Sequence, residues 1–130
     1  MVPRYYPRVQ VKAFASFTGS GVTCGGITCE GTVLDVTVPG CLIQSSSVSA
    51  RKGDSLTLRV TIPQVRATFL VARAVVRWVD ELRFGVEFVE MDPKERVRYN
   101  ATVNRLLQQQ APSSTQQQYC EDWHFADYAA

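Results

Sequence analysis

Ser55-Leu56-Thr57-Leu58-Arg59-Val60-Thr61-Ile62 is the stretch that decides the fold class. Leu56, Leu58, Val60 and Ile62 fall on alternate positions, with polar residues between them. A period of two places the apolar set on one face of an extended chain, so the segment reads as a strand with one side toward a core. The turn residues Arg51-Lys52-Gly53-Asp54 stand just before it. The same grammar recurs toward the N-terminus. Val9, Val11, Ala13, Ala15 and Phe17 share one face, Thr32 to Val38 is a β-branched run closed by Pro39-Gly40, and Cys41 to Val48 is a further strand. Toward the C-terminus, Phe69 to Val79 and Leu82 to Val89 form a hairpin around Asp80-Glu81. Thr18 to Gly31 is glycine-rich and reads as a loop or a loose hairpin. Short antiparallel strands separated by turn residues predict an all-β barrel or sandwich. A parallel α/β sheet would need helices alternating with strands, and the pattern has none.

The period changes after the last strand. Asp92-Pro93-Lys94-Glu95 carries a capping residue, a proline suited to the first helical position and a glutamate placed for a capping box. Val97, Ala101, Leu106 and Leu107, with Tyr99 and Val103 beside them, predict an apolar stripe that needs the barrel mouth or wall as its partner. Gln108 to Gln118 is rich in Gln, Ser and Pro, and Tyr119, Trp123, Phe125 and Tyr128 follow among acids. The expected organisation is one globular unit over residues 1–110 and a tail over residues 111–130.

A net charge of +2 is too small for a dedicated nucleic-acid binder, so no DNA or RNA partner is expected. The charge is unevenly placed: every Lys and Arg precedes Gln108, whereas Glu121, Asp122 and Asp127 lie beyond it. No run approaches the roughly 20 apolar residues of a membrane span, and Met1 to Arg8 has no apolar leader core. The expectation is a cytoplasmic protein without membrane insertion, whose thiols stay reduced. Of the four cysteines, Cys41 and Cys120 are isolated and Cys24 and Cys29 are close. If Gly25-Gly26 forms a two-residue turn, Cys24 faces Ile27 rather than Cys29. Reduced thiols are expected there, ahead of a disulfide and well ahead of zinc. The one histidine, His124, sits in the acidic tail, a poor place for a triad or a metal ligand. Asp80, Glu81, Glu87 and Glu90 crowd a hairpin, where acids are ordinarily solvated. No catalytic residue, metal or cofactor is expected, and the chain is read as a binding protein rather than an enzyme.

Two short constellations carry a binding chemistry. Arg4-Tyr5-Tyr6-Pro7-Arg8 sets two arginines just ahead of the first strand. A guanidinium can pair with guanine O6 and N7, grip phosphate oxygens or stack on a base. Asp35-Val36-Thr37-Val38-Pro39-Gly40 follows on another strand, where an extended chain points Asp35 and Thr37 the same way. A carboxylate accepts from guanine N1–H and N2–H together, a hydroxyl adds a bond, and a glycine admits close approach to the backbone. Each element has a plain structural reading too. Arg73-x-x-x-Arg77 shows the same arginine spacing inside a strand as a polar face, and Asp-x-Thr-x-x-Gly is common turn chemistry.

Taken with their order and flanking strands, these residues resemble the PilZ domain family, whose pattern is Arg-x-x-x-Arg followed by Asp/Asn-x-Ser-x-x-Gly. Gly53 to Leu58, Ala74 to Trp78 and Phe84 to Phe88 are also similar to that family's strands, so the resemblance covers about Pro3 to Leu107. It implies a six-stranded antiparallel barrel with a C-terminal helix that binds the bacterial second messenger cyclic di-GMP. By position, Arg4, Arg8, Asp35, Thr37 and Gly40 are the implied ligand-binding residues. Thr37 stands where serine is usual and Pro39 where many members have glycine. The resemblance further implies that ligand bridges the arginine segment to the barrel and changes the surface offered to an unidentified protein partner. One rival is a PilZ-like adaptor that binds no nucleotide. Another is a barrel for single-stranded nucleic acid, which would expose several aromatics; here Phe69, Trp78, Phe84 and Phe88 sit in patterns that read as mostly buried.

Overall fold

Period-two alternation in this chain closes on itself. The computed structural model describes residues 7–19, 28–45 and 48–110; Arg4, Cys24, Cys120, His124 and the tail 111–130 lie outside them. The elements are β1 (Val9–Thr18), β2 (Cys29–Thr37), β3 (Gly40–Gln44), β4 (Ser55–Ile62), a 3-10 turn (Pro63–Val65), β5 (Ala67–Asp80), β6 (Arg83–Glu90) and the helix α1 (Pro93–Gln110). The strands form a closed antiparallel barrel in the order β1-β2-β3-β6-β5-β4, so none is left as a free edge. β1 ends at Thr18, beside the expected Phe17, whereas β2 begins at Cys29, inside the glycine-rich stretch and ahead of the expected Thr32, where it pairs with Phe17. β3 is shorter than expected and ends at Gln44, where the Ser45 N–H donates to Leu82 O at 2.9 Å.

The core is a stack of cross-strand rows. One row runs Val9, Val36, Cys41, Val86 and Val76 across five strands, and every member is fully buried. Burying such a side chain stabilises by about 1.5–3 kcal/mol, so this row is a stiff layer beneath whatever lies on the outer face. Phe17 and Phe84 meet edge to face at 5.8 Å elsewhere in the same core.

Helix α1 closes one end. The Lys94 N–H donates to Asp92 Oδ1 at 2.9 Å, so Asp92 caps the helix as expected. Glu95 is used differently from a capping-box residue: its carboxylate accepts from Leu70 N–H at 3.1 Å and from Arg98 at 3.0 Å, tying the helix to β5. The buried face is also displaced from the expected stripe. Tyr99, Thr102, Val103 and Leu106 are buried, at i, i+3, i+4 and i+7, whereas Val97 is 69% exposed and Ala101 lies in solvent. The reason is Tyr99. Its ring packs between Phe69 and Phe88, with centroids 5.4 and 5.1 Å away, and sets the rotation of the whole helix.

Cys29 is disulfide-bonded, which corrects the expectation of reduced thiols at that position. Cys41 is free and buried. Among the described residues no helix is long and apolar enough to cross a membrane, and no group of three or more His, Cys, Asp or Glu could hold a metal.

Candidate functional site

Two irregularities meet at Leu34. Between Gln10 and Ala13 the β1–β2 register slips, and between Val33 and Asp35 the β2–β3 register slips. Strict alternation over Val33-Leu34-Asp35-Val36 would force a choice: either Asp35 shares the core face with Val33, or one valine leaves the core. The bulge removes the conflict. Val33 and Val36 are both fully buried, and Asp35 is released to the outer face.

There Asp35 joins a second cross-strand row, Gln10, Asp35, Leu42, Gly85 and Trp78, which runs beside the buried valine row. Arg8 reaches this row from just before β1, and its Nη1 donates to Asp35 Oδ2 at 3.2 Å. The pair is mostly withdrawn from water, with side chains 17% and 6% exposed. Leu42, Leu34 and Trp78 pack together on the same face. Gly85 makes room for that packing, because a Cβ there would run into the Trp78 indole. Of the strand aromatics whose patterns read as mostly buried, Phe69, Phe84 and Phe88 are buried and Trp78 is half-buried on the outer wall. The available clue was the glycine at its cross-strand position.

A groove of about 560 Å³ opens over the Gln10, Asp35 and Leu42 part of this row. Arg8 and Asp35 form one part of it, Leu34 and Leu42 its floor, and Lys12, Gln64 and Arg83 its rim. A larger hollow of about 720 Å³ lies around Phe14, Gln44 and Thr61, but among the described residues its only charged lining residue is Glu30. An anionic ligand therefore fits the smaller groove.

The remaining sequence-predicted residues fall elsewhere. Arg4 is outside the described residues. Thr37 and Gly40 lie at the β2–β3 turn, and Thr37 is fully buried. The Gly40 N–H donates to Thr37 Oγ1 at 3.1 Å, and the same hydroxyl faces Gly40 O at 3.2 Å. The Tyr99 hydroxyl lies 2.7 Å from Thr37 O and 2.9 Å from Gly40 O, which pins the helix to the turn. A Cβ on Gly40 would run into the Val86 carbonyl oxygen. The structure thus brings Arg8 and Asp35 together at the groove and holds Thr37 and Gly40 in the turn beside it.

Electrostatics couple the groove to the turn. The Cys41 thiol, one position from this turn, is pushed far above its ordinary range by burial first and by the charge of Asp35 second. The Tyr99 hydroxyl is raised by burial first and the neighbouring Cys41 second, against a lowering from Arg96. Both groups stay protonated and neutral. Near the β5–β6 hairpin, acids are paired with arginines: Glu87 with Arg77 at 2.7 Å and, exposed, Glu90 with Arg73 at 3.7 Å.

Comparison with known proteins agrees with this architecture. The family model described as PilZ domain matches residues 3–109. The fold is similar to that of the inhibitor of motility MotI/DgrA from Bacillus subtilis, at 17% identity and a TM-score of 0.61, covering 85% of this chain and 52% of that one. It is similar to the PilZ domain of YcgR from Escherichia coli, solved with c-di-GMP, at 12% identity and a TM-score of 0.59, covering 80% of this chain and 91% of that one. It is also similar to MrkH from K. pneumonia in its apo state, at 12% identity and a TM-score of 0.66, covering 84% of this chain and 52% of that one. The chain thus spans about half the length of MotI/DgrA and MrkH. No curated protein matches the chain.

Proposed function

The chain belongs to the PilZ domain family, and from that premise we propose that it is a receptor for cyclic di-GMP that passes the signal to a protein partner and does no chemistry on the nucleotide. The observation that carries the reading is the Arg8–Asp35 pair, largely sheltered from water in a cation-rimmed groove. A sheltered carboxylate beside a guanidinium offers acceptors for a guanine Watson–Crick edge and donors for its Hoogsteen edge or a phosphate. Leu34 and Leu42 supply an apolar surface in the groove on which a base can lie, with Trp78 packed against Leu42 beside it. Arg4 completes the arginine pair by position in the sequence.

Thr37 and Gly40 serve this reading indirectly, by holding the end of β2 on which Asp35 is mounted. The test is a calorimetric titration of the whole chain with cyclic di-GMP, followed by chromatography of the recovered nucleotide. Saturable binding with the nucleotide unchanged is expected. Linear dinucleotide or GMP in the eluate would overturn the non-enzymatic part. An absence of binding would leave a protein adaptor that uses the fold without the ligand.

A further inference from the structure

The groove has a second cationic wall that the arginine and aspartate elements do not include. Lys12 projects from β1 at the bulge opposite Leu34, and Arg83 from the start of β6. Both line the groove with Gln64 beside them. In the barrel order, β2 and β3 lie between these two strands. Three strand spacings separate them, roughly 14 Å along the sheet, and the span is floored by Leu34 and Leu42.

Neither cation is needed by the fold. Lys12 is exposed, and no ion pair or hydrogen bond from its side chain is found among the described residues. Arg83 is 51% exposed, and its contact is a 3.8 Å approach to Asp80, itself 63% exposed. A loose pair of that kind contributes little to stability. Two cations on long, flexible side chains at opposite sides of an apolar floor can converge on one anionic group held above it.

Resting on the proposed function, we infer that Lys12 and Arg83 are ligand-binding residues that hold the phosphate of the dinucleotide not held by Arg8. The groove then recognises a diphosphate dinucleotide at three points: guanine at Arg8–Asp35, one phosphate shared with Arg8, and the other between Lys12 and Arg83. Charge-assisted contacts to phosphate are strong when formed but are screened when exposed to solvent. Affinity should therefore fall with salt, and the share of that fall owed to the second wall should vanish when the wall is removed.

The experiment titrates cyclic di-GMP into the wild-type chain, Lys12→Gln, Arg83→Gln, the double variant and Lys12→Arg, at about 50 and 300 mM salt, with a thermal melt of each. Each single substitution to Gln should weaken binding about tenfold at low salt, and the double variant more than either. Melting temperatures should be unchanged, Lys12→Arg should stay near wild type, and the deficits should shrink at high salt. Wild-type affinity in the double variant at low salt would overturn the inference and leave the proposed function standing. Wild-type protein that binds no cyclic di-GMP at either salt would overturn both.

Discussion

On one side of Val36 strand β2 opens onto a groove, and on the other it is sealed into a turn. Asp35 meets Arg8 at 3.2 Å on the outer face, in a groove rimmed by further cations. Thr37, the next residue but one, is fully buried and spends its hydroxyl on Gly40. Gly40 lies against the Val86 carbonyl, and the Tyr99 hydroxyl reaches both turn carbonyls. The single sequence element Asp35-x-Thr37-x-x-Gly40 therefore divides into a part that can face ligand and a part that holds the backbone behind it. A residue pattern associated with binding need not touch the ligand at every position, and the division can be broken experimentally.

The largest effect is expected at the sealed end. Gly40→Ala puts a methyl group where the Val86 carbonyl oxygen already sits, and forcing apart two paired strands should cost about 3 kcal/mol or more. Urea denaturation should show a much lower midpoint. Residual folded protein should still bind cyclic di-GMP. A stably folded Gly40→Ala that had lost binding would place Gly40 against the ligand and dissolve the comparison.

At the open end the order reverses. Arg8→Ala removes a guanidinium contact worth about 1–3 kcal/mol to a bound guanine, so calorimetry should show binding weakened about tenfold to a hundredfold. The fold should lose less than Gly40→Ala does, because Asp35 lies at the surface row and water can reach it once the arginine is gone. Asp35→Ala should weaken binding comparably. Wild-type affinity in either variant would mean that the groove is not the nucleotide site.

Tyr99→Phe tests the pin between helix and turn. Losing one hydroxyl that serves two buried carbonyls should destabilise by about 1–2 kcal/mol while leaving nucleotide affinity unchanged. The same region sets an alkaline limit. Cys41 and Tyr99 have raised folded values against ordinary values of 9.0 and 10.0. A raised acid contributes stability that is whole below its unfolded value and declines as pH climbs above it. Stability should be level up to about pH 9 and then fall by about 1.4 kcal/mol per pH unit for each group engaged. Tyr99→Phe should start lower and fall less steeply above pH 10. A stability that rose between pH 9 and 11 would contradict the sign.

Much of this was legible in the chain. The alternation of Leu56, Leu58, Val60 and Ile62 survives as a strand whose apolar face is buried, because period two is a direct consequence of backbone geometry. Asp92-Pro93 starts the helix where its chemistry says. The site was legible only in part. Arg8 and Asp35 meet, but Lys12, Leu42 and Arg83, which line the same groove, come from three different strands, and only register brings them together. The bulge at Leu34 has no marker such as Gly or Pro; it follows from the competing demands of Val33 and Val36 for the core. The helix face is legible only in part: Tyr99, Val103 and Leu106 are buried as expected, but Val97 and Ala101 fit an apolar period as well and lie exposed. The pocket between Phe69 and Phe88, which decides between them, is invisible until the barrel closes.

The smallest effect, and the finest test of the division, belongs to Thr37→Ser. Serine keeps the oxygen that accepts from the Gly40 N–H, so the turn should persist and nucleotide affinity should equal that of wild type. What is lost is one buried methyl, worth about 0.8 kcal/mol by transfer, read as a small drop in denaturation midpoint. Thr37→Val makes the opposite exchange, keeping the volume and removing the hydroxyl. The Gly40 N–H then has no side-chain acceptor in the turn, and an unsatisfied buried donor costs about 1–3 kcal/mol. Valine should therefore be the more damaging substitution for the fold, with affinity again near wild type in the molecules that remain folded. A hydroxyl aimed at the ligand would give another pattern: Thr37→Val would fold as well as Thr37→Ser and bind about tenfold more weakly. That result would move Thr37 from the sealed side of Val36 to the open side.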